Sequence, residues 1–322
     1  MHHMPYHEPE PGGLAALALT ERRRLEDLLT TARNDYGGLA LRLGDRWSRA
    51  WLHRSGNPYL AEIEAISKVI DGPGAYLLNL SFEWTCTSAA APDPAAETPR
   101  LVRSLDWEYE HLGRSVMVVR QHGPAGDFFN VTWPGFVGVL TAMAPGRFAV
   151  AINQPPMTRR SGLKPLDWIL NRLSWRGSKA MPPSHLLRQV CETCATYDQA
   201  LEALRDTELC IPVFYTLVGA EAGQGCVIER TQTEAGVRDF PAVVANDWLV
   251  FDREDHQRGW DSPGRYRQML ADLETLPGDF SWVKPPVLNA ATRLTVMANP
   301  GSGSLQVQGW EGEAPATQLF TL

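Results

Sequence analysis

Apolar residues recur at helical spacing in the first quarter of the chain. Leu25, Leu28 and Leu29 share one face of a helix that Thr20 is placed to cap, with Glu21 in its first turn. Gly37-Gly38 interrupts that pattern. Asn57-Pro58 then offers a capping amide followed by proline at a first helical position. Leu60, Ile63, Ile66, Val69 and Ile70 form the apolar stripe behind it, up to Gly72-Pro73-Gly74. A second apolar run, Tyr76 to Trp84, leads to Thr85-Cys86.

From Leu101 the period changes to that of strands. The expected strands are 101–105, 115–120, 128–132, 137–142 and 148–153, separated by Gly and Pro. Residues 89–99, rich in Ala and Pro, read as a surface loop before the first of them. Helical spacing returns at Leu166–Leu170, 184–194 and 197–205. Strand patterns follow at 213–220, 226–229 and 243–248, then a short helix at 263–273 and strands at 293–298 and 304–309. Strand runs, a helical block and strand runs again imply an α+β protein with helices covering sheets, not a regular βαβ alternation.

Composition narrows the function classes. With 322 residues the chain can bury a sizeable core, and a formal net charge of −7 without a basic cluster argues against nucleic acid as a partner. The 11 tryptophans serve either core packing or an apolar acyl site. The opening residues lack the basic-then-apolar order of a signal peptide, and no apolar run reaches the ~18 residues of a membrane span, so the expected location is the cytoplasm. Residues 1–13 read as a mobile arm. Arg22-Arg23-Arg24 is either the solvated face of its helix or a contact for anionic lipid.

Five cysteines, an odd number, suggest reduced thiols. Cys191 and Cys194 have metal-like spacing but no second pair, and they fall in a helical pattern. The eight histidines form no metal pattern; neither metal nor cofactor is expected. Cys86 reads two ways, as a small buried hydrophobe or as a nucleophile beside Thr87-Ser88. Arg103 and Asp106 lie three apart on a strand, which points them to opposite faces. Asn246-Asp247 reads alone as a turn, and Asn153 before Pro155-Pro156 as a turn or a site-lining residue.

One resemblance changes this picture. In order, the chain carries Asn57-Pro58-Tyr59-Leu60-Ala61-Glu62-Ile63, Cys86-Thr87-Ser88, Arg103-Ser104-Leu105-Asp106, Gly135-Phe136-Val137-Gly138-Val139-Leu140-Thr141 and Pro145-Gly146. This succession, from Asn57 to Arg258, resembles the acid ceramidase and N-acylethanolamine acid amidase family of N-terminal-nucleophile hydrolases, with bile-salt hydrolases and penicillin V acylases as wider relatives. The resemblance implies an αββα sandwich. It also implies a helical segment, 1–85, separated by self-cleavage between Thr85 and Cys86 from a catalytic part, 86–322.

By the same resemblance Cys86 matches the nucleophile, Arg103 the arginine beside its thiol and Asp106 the carboxylate that holds the freed α-amine. Asn246 matches the oxyanion-hole amide. Arg258 matches a further site arginine, with Arg265 as the alternative. Trp107, Trp133, Phe136 and Asn153 are the expected substrate-binding residues, with Trp84 and Met143 nearby. The implied reaction is hydrolysis of the linear amide of an N-acyl compound with an apolar acyl chain, with membrane-surface contact where the substrate is a lipid. The alternatives are a related acylase on β-lactam side chains, bile-salt amides or N-acyl amino acids, and an unprocessed homologue that only binds an acyl ligand or a partner.

Overall fold

The computed structural model describes residues 1–8 and 13–322. A short strand β1 (Tyr6–His7) precedes five helices: α1 (Gly13–Thr20), α2 (Arg22–Tyr36), α3 (Gly38–Ser55), α4 (Leu60–Val69) and α5 (Ala75–Asn79). A long hairpin follows, β2 (Thr85–Asp93) and β3 (Ala96–Asp106), then β4 (Met117–Gly123), β5 (Gly126–Thr132), β6 (Thr141–Ala144) and β7 (Phe148–Asn153). Three helices interrupt the strands: α6 (Lys164–Ser174), α7 (Pro183–Thr193) and α8 (Tyr197–Asp206). The chain continues through β8 (Val213–Gly219), β9 (Gly225–Arg230), β10 (Ala235–Asp239), β11 (Ala242–Val244) and α9 (Ser262–Asp272). It closes with β12 (Thr292–Asn299), β13 (Ser304–Glu311), β14 (Ala314–Pro315) and β15 (Phe320–Thr321).

These strands make two sheets. One runs β1-β4-β5-β6-β7-β8-β9-β10, and the other runs β11-β2-β3-β12-β13-β14, with β15 paired to β13. All pairings are antiparallel except β1 with β4. The sheets stack face to face, and between them lie Cys86, Ala90, Leu105, Ile152, Leu217 and Val296. Helices α7 and α8 cover the outer face of the first sheet. Leu186, Leu187, Val190 and Cys191 supply the buried stripe of α7, while the Thr196 hydroxyl caps α8 by accepting from Gln199 N at 3.2 Å. Helix α9 covers the second sheet, packing Met269 near Ala89, Val102 and Val243. The result is helix, sheet, sheet, helix, as the resemblance implies.

Residues 89–99, expected to be a surface loop, are instead the tip half of the β2–β3 hairpin. Ala89, Ala90 and Ala91 are fully buried; alternate methyls face the inter-sheet core and the layer under α9. Alanine reads as weak strand former, but its small side chain lets sheet and helix close on both faces. Only Pro94 and Ala95 turn the chain, with Asp93 Oδ1 accepting from Ala95 N at 3.0 Å.

The amino-terminal reading is also corrected. Met4 is buried, β1 extends the first sheet beside β4, and His2 bridges to Thr317, so residues 1–8 are pinned to the sheet rather than a free arm. The remainder of that expected arm includes residues 9–12, which lie outside the described residues. Thr20 ends α1 and donates its hydroxyl to Ala16 O at 3.3 Å instead of capping α2. Among the arginines at the start of α2, Arg22 pairs with Glu26 and Arg24 with Glu21. Helices α2 to α5 enclose a second core of Leu25, Leu29, Trp51, Leu52, Ile63 and Ile66. It delivers the chain to Thr85 at the edge of the sandwich.

Candidate active site

Antiparallel register decides what surrounds Cys86. Thr85 stands opposite Asp106, Cys86 opposite Leu105, and Ser88 opposite Arg103. Opposed residues share a face, so Arg103 and Cys86 both point between the sheets, and Thr85, Thr87 and Asp106 point to the α9 side. The sequence expectation that Arg103 and Asp106 diverge is correct. Arg103 reaches the Cys86 thiol on the inner face, and Asp106 stands beside Thr85 on the other.

On the inner face Arg103 Nη2 lies 3.0 Å from Cys86 Sγ and 2.9 Å from Ile152 O. Its Nη1 donates to Leu140 O at 2.5 Å and to the Thr141 hydroxyl. The thiol itself sits 3.6 Å from Ile152 O. Arg103 is therefore a fixed cation spanning both sheets, aimed by β6 and β7. Burial raises the Cys86 pKa above its ordinary value, and the charge and hydrogen bond of Arg103 oppose that rise without cancelling it.

On the other face stands Arg265, fully buried, from α9. Its Nη1 donates to Cys86 O at 2.7 Å and to the Thr87 hydroxyl at 2.9 Å. Its Nη2 donates to Asn246 Oδ1 at 2.8 Å, and Nη1 lies 3.7 Å from Asp106 Oδ2. Asp106 also accepts from Asn289 Nδ2 at 3.0 Å and the Thr292 hydroxyl at 3.1 Å. Burial nevertheless raises its pKa, with Arg265 the main opposing influence. Asn246 follows β11. Its Oδ1 accepts the Cys86 N–H at 3.2 Å, its Nδ2 donates to Gln154 O at 2.6 Å, and its backbone N–H is held by the Ser262 hydroxyl at 2.9 Å.

Arg258 is a correction. It donates to Pro155 O and Phe82 O, each at 3.0 Å, and lies 3.8 Å from Glu83, with no contact to Cys86. The arginine that meets the cysteine is the alternative, Arg265. Asp261 starts α9 as its cap, accepting from Gly264 N at 3.1 Å, and this points Arg265 inward one turn early in the helix. Asn153 lies between the sheets near Ser88. It accepts from the Ser88 hydroxyl at 2.8 Å and donates to Ala245 O at 3.1 Å, so it ties the sheets together with its polar atoms engaged.

Trp107, Trp133 and Phe136 do come together. With Leu140 and Leu112 they line an apolar cavity of about 80 Å³ beneath α2, α4 and α5. A second cavity of about 90 Å³ has a mixed lining that includes Gln154, Pro155, Glu83 and Arg258. The stretch between them is aromatic: Phe82 contacts Trp84, and Trp84 contacts Trp107, at ring separations of 5.7 and 5.5 Å. Sequence reasoning missed Thr141, Asn289, Thr292 and Ser262. The last three stand more than 150 positions from Cys86 in sequence, and only the sheet register and α9 bring them near.

No family model matches the chain. Acid ceramidase of Macaca fascicularis is 33% identical over 228 residues, covering 64% of this chain and 55% of that protein. The N-acylethanolamine-hydrolyzing acid amidase of Caenorhabditis elegans is 29% identical over 189 residues, 58% of this chain and 50% of that one. The chain spans about half the length of the curated relatives it matches. Among solved structures, a Caenorhabditis elegans N-acylethanolamine-hydrolyzing acid amidase ortholog superposes with a TM-score of 0.54 at 22% identity, covering 67% of this chain and 93% of that one. At that identity the likeness is one of fold, the αββα sandwich. The resemblance read from the ordered sequence segments holds: this chain is similar to acid ceramidases and N-acylethanolamine acid amidases.

Proposed function

We propose that this chain is a cysteine amidohydrolase that cuts its own Thr85–Cys86 bond and then hydrolyses the linear amide of N-acyl compounds. One observation carries the reading. Arg103 Nη2 stands 3.0 Å from Cys86 Sγ while Asn246 and Arg265 hold the amide N–H and the carbonyl of the same residue. A buried structural cysteine needs none of these three.

In the uncut chain Sγ attacks the Thr85 carbonyl carbon. The C–N bond breaks, the nitrogen leaves as the Cys86 α-amine, and the Thr85 acyl group is left on sulfur as a thioester. Water hydrolyses that thioester to the Thr85 carboxylate and frees the thiol. Asp106, opposite Thr85, is the carboxylate beside the new amine; it orients the amine by a charge-assisted hydrogen bond. In turnover the α-amine takes the thiol proton, Sγ attacks the substrate carbonyl, and the leaving amine departs with a proton. Water then releases the acid. Arg103 favours the thiolate, and an amide donor from Asn246 serves the oxyanion.

The apolar acyl chain fits the cavity of Trp107, Trp133 and Phe136. In the uncut chain Phe82 and Trp84 stand between this cavity and the one by Gln154, so cleavage and displacement of residues 81–85 join the two past Cys86.

A lipid surface is the proposed source of substrate. Helices α3, α5 and α6 frame an apolar groove of about 550 Å³ that includes Leu43, Trp47, Trp168 and Ile169, all exposed. Helix α3 carries four arginines against one aspartate, which suits an anionic bilayer. No helix among the described residues is long and apolar enough to cross a membrane.

The test is a denaturing mass spectrum taken fresh and after incubation from about pH 4.5 to 8, spanning the carboxyl and amine titrations. Two fragments meeting at Thr85/Cys86 are expected. A single intact mass throughout, with no amide turnover, overturns the hydrolase reading in favour of an acyl-binding protein.

A further inference from the structure

The cavity by Glu83 and Gln154 is lined in part by charge that the reaction above does not use. Arg172 Nη2 lies 2.6 Å from Glu83 Oε1, and the Trp168 indole N–H donates to the same oxygen at 3.1 Å. The Arg172 guanidinium stacks over the Trp168 ring, 4.2 Å from its centroid. Arg258 approaches the other oxygen of Glu83 at 3.8 Å while donating to Phe82 O. Two guanidinium groups thus converge on one carboxylate, and that carboxylate sits three residues before Cys86 on the stretch that cleavage releases.

The walls of this cavity are built independently of Glu83. Asp167, buried at the start of α6, accepts from Ser161 N at 2.6 Å and Gly162 N at 3.1 Å, and pairs with His256 Nε2 at 2.8 Å. Asn171 Nδ2 donates to Thr158 O at 2.7 Å. The loop over the cavity is therefore fixed to α6 and to the segment after β11. When the Glu83 stretch withdraws, Arg172 keeps its stacking on Trp168 and Arg258 its bond to Pro155 O, while both lose their carboxylate. Two half-buried cations without an anion are costly, and the paired donors of a guanidinium match a carboxylate.

We propose that Arg172 and Arg258 form an anion-recognition subsite, and that the amine half of the substrate carries a carboxylate, as in an N-acyl glycine. The inference rests on the reading of Cys86 as nucleophile. The apolar cavity takes the acyl chain on the Leu140 side of Cys86, and the amine half faces the cavity on the Gln154 side. Its volume of about 90 Å³ suits a small amine half; a water molecule's share of liquid is about 30 Å³. Glu83 is then an internal stand-in that keeps the subsite neutral until cleavage. The reaction adds water across the C–N bond and yields a fatty acid and an amino acid. A neutral ethanolamine head leaves the guanidinium pair without its anion, a loss that discriminates strongly in a desolvated site.

The experiment uses the processed protein, both fragments verified by mass. It compares kcat/KM for N-palmitoylglycine, N-palmitoylethanolamine and the cationic amide N-palmitoylethylenediamine. We expect the glycine conjugate to be preferred at least tenfold over the ethanolamide. Arg172→Glu should shift the glycine-to-ethylenediamine ratio at least a hundredfold toward the cation, and Arg172→Lys should keep the wild-type order. Equal or better hydrolysis of the ethanolamide by the wild type overturns the inference while leaving the hydrolase intact, and that comparison decides even where the charge-reversed protein fails to fold. An unmoved ratio in folded Arg172→Glu also overturns it. Hydrolysis of none of the three removes the reading of this chain as an N-acyl amide hydrolase, and this inference with it.

Discussion

Arg265 donates to Asn246 Oδ1 at 2.8 Å, and the same oxygen accepts the Cys86 amide N–H at 3.2 Å. A guanidinium can only donate, so the Asn246 amide is oriented with oxygen toward Cys86 and its NH₂ toward Gln154 O. In the uncut chain the amide therefore receives the Cys86 nitrogen and does not yet offer its donor to an oxyanion.

Substituting Asn246 separates these two duties. Asn246→Asp keeps an acceptor for Cys86 and Arg265 but loses the NH₂ donor. Self-cleavage should survive within about tenfold, while turnover of an N-acyl amide should fall roughly 10²–10³-fold, the usual loss of one oxyanion donor. Timed mass spectra and single-turnover assays read the two steps. Wild-type turnover in this variant removes Asn246 from the oxyanion role.

Cys86→Ala should give an intact chain at every pH and no hydrolysis. Cys86→Ser should process more slowly and lose most turnover, because a hydroxyl is the weaker nucleophile at modest pH. Normal processing of the alanine variant, seen by mass, ends the nucleophile assignment.

The two candidate arginines should differ in kind. Arg265→Met strips buried Asp106 of its cation and removes the guanidinium donor shared by Cys86 O, the Thr87 hydroxyl and Asn246 Oδ1. A loss of about 3–5 kcal/mol is typical for breaking a buried pair, and processing should stop. Arg258→Met loses the hydrogen bonds to Phe82 O and Pro155 O and the longer ion pair with Glu83, so the protein should fold and process more slowly. Chemical unfolding with mass spectrometry ranks them; equal, small effects would dissolve the distinction.

Acid should weaken the fold through His185. This residue lies in α7, bonded to Asn57 Nδ2 at 2.9 Å, and burial pushes its pKa down to about 3, helped by Arg188. Above about pH 6.5 it is neutral folded or unfolded. Between 6.5 and 3 the unfolded chain gains a proton that the fold does not, so stability falls with pH, on the order of 4 kcal/mol by the lower end. Asp106 has the opposite sign. Its raised pKa favours the fold at low pH, and that contribution is lost as pH climbs through the folded value. His185→Gln should flatten the acid limb of a stability-versus-pH curve. An unchanged slope would mean that His185 does not titrate in this way.

Leu43→Glu with Ile169→Glu should cut sedimentation with anionic vesicles at least fivefold and slow hydrolysis of vesicle-borne substrate. A short-chain soluble amide should be turned over nearly as before. Undiminished sedimentation would exclude the α3–α6 groove as the lipid contact.

The candidate site was legible through the order of its segments more than through any local pattern. Cys86, Arg103 and Asp106 were singled out by the resemblance; strand periodicity alone says only that Arg103 and Asp106 face opposite ways, and the hairpin register brings Arg103 to the thiol. Arg265 was harder. Three arginines follow Asn246 within 20 positions, Arg253, Arg258 and Arg265, and spacing favoured Arg258. The choice is made by the Asp261 cap, which sets where α9 begins and so which arginine faces the sheet. The alanine-rich stretch misled in the opposite sense: composition suggested a loop, yet small residues are what a strand buried on both faces needs. Helix α3 went unread because apolar residues lie on more than one side of it: Leu41, Trp51 and Leu52 are buried while Leu39, Leu43 and Trp47 are exposed, which blurs the stripe. The Asn289 and Thr292 contacts to Asp106 cross from a different strand connection, which no local pattern encodes.

Strand β1 gives the proposed cut an architectural outcome. Residues 6 and 7 run parallel to β4 inside the first sheet, and His2 bridges to Thr317 near the far end of the chain. Severing the backbone after Thr85 does not liberate the leading fragment, because its beginning is woven into the trailing one. The mature protein is then a heterodimer made from one gene product, joined by a shared sheet in place of a peptide bond. Dilution should not separate the halves. Stripping the leading strand away would bare the edge of β4 and invite other chains to pair there.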